Sequence, residues 1–251
     1  MHDYFRPVRL LGVVGSRSDA GQLPHGRRLD DTGESLYLPK NAAAAPGVVL
    51  LPEPGWVDRS IYDTYLAQKL AKDGMAALAI DVRGTGCSLG KLELEKFPPT
   101  DRAKIQLDVR GAVQFLASQK GVDPGRMAII GAGSTADFAV LEAAEQPGVR
   151  AVVMISGKLG EKAKGYIRIQ EHVPVLSVVG KKDRDTFLQM AEAYSLSDND
   201  DSDIILAVGH GTVMFSHTKG LEEHVIAWLD KNLAGVGTEA EISSRSLLVG
   251  N

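Results

Sequence analysis

Two titratable residues and one glycine-rich turn carry the chemistry this sequence could do. Asp183 follows an apolar run at residues 173–179, and His210 follows another at residues 203–208. The turn Gly131-Ala132-Gly133-Ser134-Thr135 lies upstream of both. Acyl transfer through a covalent intermediate needs a hydroxyl or thiol, a base that takes its proton, and an acid that orients the base. A strand–turn–helix corner, then an Asp, then a His presents those roles in a known order. Asp183 also suits a plain helix cap ahead of Arg184 and Asp185. Gly209 and Gly211 on either side of His210 favour a shaped loop over an ordinary surface histidine.

The turn fits two signatures. As G-x-G-x-x-A, Gly131 to Ala136 would set a pyrophosphate on the amides of a helix N-terminus. The strand that follows ends Ile155-Ser156-Gly157-Lys158, without the Asp or Glu that would hold a ribose. The motif also sits on about the fifth strand rather than the first. As G-x-S-x-G, a nucleophile elbow, the turn aligns with Gly133 at the reacting position and Thr135 at the last position. Glycine has no reacting atom, and Ser134 comes one residue late. The order of Asp183 and His210 favours the elbow.

The elements that must position these residues follow from periodicity. Residues 34–38, 47–51, 75–80, 128–130, 149–156, 173–179 and 203–208 are expected strands, and residues 8–14 suit another. Helices are expected from Ser60 to about Asp73, from Asp101 to about Gln119, after the central turn, from Asp185 to about Tyr194, and from Leu221 to about Leu233. Residues 122–125 are expected to turn, and residues 157–172 are short and charged. Alternating strands and helices imply one mostly parallel sheet with helices on both faces. Ligands in such sheets bind beyond the carboxyl ends of the strands. Residues 52–56, 81–88, 131–136, 180–183 and 209–211 all fall there.

Taken together, Ser35-Leu36-Tyr37-Leu38-Pro39-Lys40, Asp81-Val82-Arg83-Gly84-Thr85-Gly86-Cys87-Ser88, the run from Val122 to Gly131, the run from Val149 to Ser156, and Gly209-His210-Gly211-Thr212 resemble the small bacterial α/β-hydrolases related to dienelactone hydrolases and to serine esterase or peptidase-like proteins. The resemblance covers roughly residues 34–233. It implies an α/β-hydrolase fold: a mostly parallel central sheet of about eight strands, helices on both faces, and no lid domain. It implies Asp183 as the acid and His210 as the base. It puts the backbone amides of Ser134 and Glu53 where an oxyanion would bind. Pro52, Glu53 and Trp56, in the turn after the third strand, are the candidate binding residues; a Glu at the place of Glu53 occurs in dienelactone hydrolases. The chain departs from the pattern at Gly133 and Thr135, and Pro52-Glu53 replaces the histidine-glycine pair of relatives. These departures imply a degenerate hydrolase that keeps its pocket and acts by binding. The alternatives are an active ester hydrolase using Ser134 as a shifted nucleophile, and a His–Asp general-base enzyme without a nucleophile.

Composition bounds the rest. The chain has 251 residues, enough for one large core. Its net charge of -4 supplies no basic field for nucleic acid. Cys87 is the sole cysteine, so no internal disulfide can form. No histidine pairs with carboxylates at metal-ligand spacing, so neither a metal nor a cofactor is expected. No stretch approaches the ~18–20 apolar residues of a membrane span. We expect a cytoplasmic protein that takes a small-molecule ligand or acyl substrate in an open cleft, with a protein partner left open. The expected divisions are an N-terminal strand or hairpin region at 1–33, a core at 34–233, and a flexible tail at 234–251.

Overall fold

The computed structural model describes residues 26–29, 33–40, 43–54, 58–88 and 96–234. Among these, eight strands form one sheet: β1 (Gly26–Leu29), β2 (Glu34–Tyr37), β3 (Ala45–Leu51), β4 (Ala76–Ile80), β5 (Val122–Ala132), β6 (Val149–Ile155), β7 (Val175–Gly180) and β8 (Asp203–Ala207). Their spatial order is β1-β2-β4-β3-β5-β6-β7-β8. β2 runs antiparallel to both β1 and β4. Every pairing from β4 across to β8 is parallel. The continuous apolar runs are what a sheet covered on both faces requires. Along β3, Val49 and Leu51 enter one core while Val48 and Leu50 enter the other.

The helices divide between those faces. α4 (Ile105–Ala117), α5 (Thr135–Glu145), α6 (Glu161–Ile169) and α7 (Arg184–Leu196) cover one side through Leu116, Ala139, Ile167 and Met190. α1 (Ser60–Tyr65), α2 (Ala67–Lys72), α8 (Met214–His217) and α9 (Leu221–Leu233) cover the other through Tyr62, Leu70, Met214 and Leu229. A single turn, α3 (Pro99–Arg102), precedes α4. Between β6 and β7 stands only α6, nine residues long, so no lid domain is inserted there. This is the expected mostly parallel α/β-hydrolase architecture.

Several local expectations change. The helix expected from Ser60 is two, broken at Leu66, whose φ is -125. Asp58 Oδ1 accepts the Ser60 amide at 2.9 Å at the start of the first. The helix expected from Asp101 is likewise α3 and α4. The turn expected at residues 122–125 lies within β5, where Val122 pairs with Ala45 and Met127 with Gly47. The longer arm folds on itself there, with Asp123 Oδ1 taking the Gly125 amide at 2.9 Å. The strand expected at residues 8–14 and the tail beyond Ala234 lie outside the described residues.

Candidate functional site

Five neighbouring parallel strands end at one edge, and each hands over one residue of the site. Glu53 follows β3, Gly133 follows β5, Ser156 follows β6, Asp183 follows β7 and His210 follows β8. The parallel register alone brings these residues together across long sequence separations.

The turn between β5 and α5 is held by backbone. Gly133 sits at φ +57, the left-handed region where a side chain costs free energy. Its amide donates to the Ile155 carbonyl at 2.9 Å, and its carbonyl accepts the Lys158 amide at 3.3 Å. Thr135 is fully buried. Its Oγ1 accepts the Ala132 amide at 2.9 Å and lies 2.8 Å from the Ala132 carbonyl, 3.1 Å from that of Leu51 and 3.2 Å from that of Pro52. Thr135 thus ties the turn to the end of β3. Pro52, expected to bind ligand, is buried and turns its carbonyl to this hydroxyl. The close approach of helix to strand falls instead at Gly131, where a Cβ would stand 2.7 Å from the Ala136 Cα.

Asp183 and His210 are joined: Asp183 Oδ2 lies 2.5 Å from His210 Nδ1. The same carboxylate oxygen accepts the hydroxyls of Thr186 at 2.5 Å and Ser156 at 3.1 Å. Ser156 Oγ in turn accepts the Gly211 amide at 3.0 Å. Burial pushes the Asp183 carboxyl up, but the bonds from Thr186 and His210, the His210 charge and the Ser156 bond bring it below the usual carboxylate range. Burial alone would pull His210 down. The bond to Asp183 and the charge and bond of Glu53 outweigh burial and raise it above the ordinary imidazole value.

Glu53, a candidate binding residue from the sequence, makes a contact with His210 that the sequence did not reveal. Its Oε1 lies 3.2 Å from His210 Nε2, on the ring edge opposite Asp183. A Cβ built on Gly133 would stand 2.6 Å from both Cγ and Oε1 of Glu53. A Cβ on Gly211, at φ +56, would stand 2.2 Å from Oε2. Glu53 therefore passes between two glycines that leave room for it. The result is a carboxylate–imidazole–carboxylate line whose imidazole side chain is 47% exposed.

Ser134 takes another direction. It is exposed at the start of α5, and among the described residues its hydroxyl has no hydrogen bond to His210 or to any other group. It opens onto a cleft of about 530 Å³ lined also by Pro54, Arg102, Phe138, Lys158 and Gln189. The amides of Ser134 and Glu53 donate to no described group. Trp56 lies outside the described residues. Among those residues no group of three or more His, Cys, Asp or Glu side chains could hold a metal ion. No described helix is long and apolar enough to cross a membrane. Ser156 and Thr186 were missed in the sequence. A hydroxyl ending an apolar strand and another three residues after the acid were the available signals.

A family model described as the dienelactone hydrolase family matches residues 34–199. A putative dienelactone hydrolase from Klebsiella pneumoniae subsp. pneumoniae is similar in structure at 23% identity, over 79% of this chain and 92% of that one, with a TM-score of 0.60. A dienelactone hydrolase from Anabaena variabilis is similar at 20% identity, over 79% and 89%, with a TM-score of 0.55. The esterase domain of a Rhodothermus marinus protein is similar at 15% identity, over 80% and 93%, with a TM-score of 0.59. At such identities the structural likeness is one of fold. No curated protein matches the chain in sequence. The family model spans the turn at Gly133, Asp183 and most of the sheet, and on that ground the chain belongs to the dienelactone hydrolase family.

Proposed function

We propose that this member of the dienelactone hydrolase family holds a small carbonyl or carboxylate compound without forming an acyl-enzyme at the elbow. One observation carries the reading: the Glu53 carboxylate stands over Gly133 and contacts His210, in the space where an elbow nucleophile would project. Covalent acyl transfer needs a hydroxyl or thiol within reach of the base. Removing the serine of a working triad lowers kcat about a millionfold. The retained parts bind rather than attack. The amides of Ser134 and Glu53 suit a carbonyl or carboxylate oxygen, and the adjoining cleft is large enough for a small organic ligand.

Labelling with a fluorophosphonate tests the reading, since such probes need an activated nucleophile. We expect no adduct on the intact protein and no change in any residual ester turnover for Ser134→Ala. A stoichiometric adduct on Ser134 overturns the proposal and returns the site to ordinary hydrolysis through a shifted serine.

A further inference from the structure

The sheet ends at β8, which pairs with β7 and with no other described strand. A free edge invites another strand, and proteins that stay apart guard it with charge, proline or a covering segment. Residues 204–208 read Ile-Ile-Leu-Ala-Val, with neither charge nor proline. Leu206 is 46% exposed and Val208 56%. Ala207 faces β7's side, its carbonyl taking the Lys181 amide at 2.9 Å. The residues on either side of it turn outward. Two of the outward amides are closed by side chains: Ile204 donates to Asp203 Oδ1 at 2.7 Å, and Val208 to Thr218 Oγ1 at 2.8 Å. Leu206, midway between them, turns its amide and carbonyl the same way and meets no described partner.

The helix behind the edge continues the apolar surface. α7 meets α6 through Glu192, which pairs with Lys164, and meets the loop before α6 through Gln189, which accepts the Leu159 amide. At about 100° per residue, Phe187 and Tyr194 fall on the opposite flank, toward β8. Phe187 and Ile204 pack against the same core, and Leu206 shares the sheet face of Ile204. Tyr194 is exposed beyond them. The charges divide by strand end. Before β8 stand the exposed carboxylates of Asp198 and Asp200, with Asp203 at its first residue. After it stand the exposed ammoniums of Lys181, Lys182 and Lys219. None of these six makes an ion pair among the described residues.

We propose that β8 is the docking edge for a second copy of this chain, whose own β8 runs antiparallel to it across a two-fold axis at Leu206. The amide and carbonyl of Leu206 bond to those of its twin, and the side chains at Ile204 and Val208 end the ladder on both sides. The edge is self-complementary, as an isologous contact requires. Antiparallel pairing sets the acidic end of each copy against the basic end of the other, twice. A parallel pairing would set like charge against like.

Sedimentation velocity of the full chain, at low and high salt, reads the association. We expect a species of twice the monomer mass at micromolar concentration, weakened by added salt because the charge contacts are exposed. Leu206→Lys sets two ammoniums face to face at the axis and should raise the dissociation constant at least about a hundredfold. Its thermal melt at a concentration where both proteins are monomers should match that of the wild type, since the side chain is half-exposed. Lys181→Glu with Lys182→Glu should weaken the dimer at least about tenfold, and adding Asp198→Lys with Asp200→Lys should restore it. A wild type that sediments as a monomer overturns the inference, and slow hydrogen exchange at the Leu206 amide of that monomer would show another segment of the same chain on the edge. A dimer that Leu206→Lys leaves unchanged overturns it as well, because the contact then lies on another face.

Discussion

Glu53 and Gly133 occupy one space between them. The side chain of the first fills the volume that any side chain on the second would enter, at 2.6 Å from its would-be Cβ. Gly133 itself sits at φ +57. In this protein the base meets a carboxylate that arrives from a different strand.

Gly133→Ala is therefore expected to act twice. The methyl group meets Cγ and Oε1 of Glu53, and the backbone carries an L side chain in the left-handed region. We expect a loss of about 1–3 kcal/mol in urea unfolding. Displacement of Glu53 should also bring the His210 titration down toward its ordinary value, because one of its two carboxylate partners leaves. A second change, Glu53→Ala, should recover part of the stability. An unchanged His210 titration in Gly133→Ala would show that the two residues do not compete for space.

The acid–base pair sets an opposite pH dependence at each end. His210 is raised above 6.5 in the folded protein by Asp183 and Glu53 against the pull of burial. Its contribution to stability is therefore complete below 6.5 and is lost as pH rises through the raised value. Asp183 is lowered from 3.8 by Thr186, His210 and Ser156 against burial. Its contribution is complete above 3.8 and is lost as pH falls through the lowered value. The stability advantage of the wild type over His210→Gln, from urea melts, should be larger at pH 5.5 than at pH 9. Equal differences at both pH values would remove the imidazolium from the account.

Ser156 is the one non-glycine residue with positive φ among the described residues, at 44. Its hydroxyl joins the acid of one loop to the Gly211 amide of the histidine loop. Strain of this kind persists where the surroundings hold it. Ser156→Ala keeps the strain and loses both hydrogen bonds, which should cost about 1–3 kcal/mol. Ser156→Gly loses the same bonds but relaxes the backbone, and should be about 1 kcal/mol more stable than the alanine variant. Identical melts for the two variants would mean that the backbone strain is not real.

How much of this was legible in the sequence follows from range. The parallel sheet was legible because apolar runs such as residues 47–51 admit few other readings. Asp183 and His210 were legible because each follows such a run. The turn carrying Glu53 was legible too, but its contact with His210 was not, because no local pattern says which way a side chain will cross from β3 to the loop after β8. The same holds for Arg59 and Asp81, a buried ion pair at 2.7 Å that ties the start of α1 to the loop after β4. The break at Leu66 was not legible either, since the apolar periodicity of Tyr62, Leu66 and Leu70 runs straight through it. Thr135 departs from the elbow pattern at its last position, yet the close contact of helix with strand belongs to Gly131 and Ala136.

Thr135 itself gives a last expectation. Its hydroxyl is the group that fastens the turn carrying Gly133 to the strand end carrying Glu53, through Ala132 on one side and the Leu51 and Pro52 carbonyls on the other. Thr135→Val keeps the shape and leaves the buried Ala132 amide without an acceptor. The loss should be about 1–3 kcal/mol. Because the fastening also fixes where β3 ends, the Glu53–His210 contact should loosen, and the His210 titration should move down toward 6.5. Thr135→Ser restores the hydroxyl and should restore both quantities. A valine variant that melts with the wild type would show that packing alone, without the hydroxyl, holds the elbow to β3.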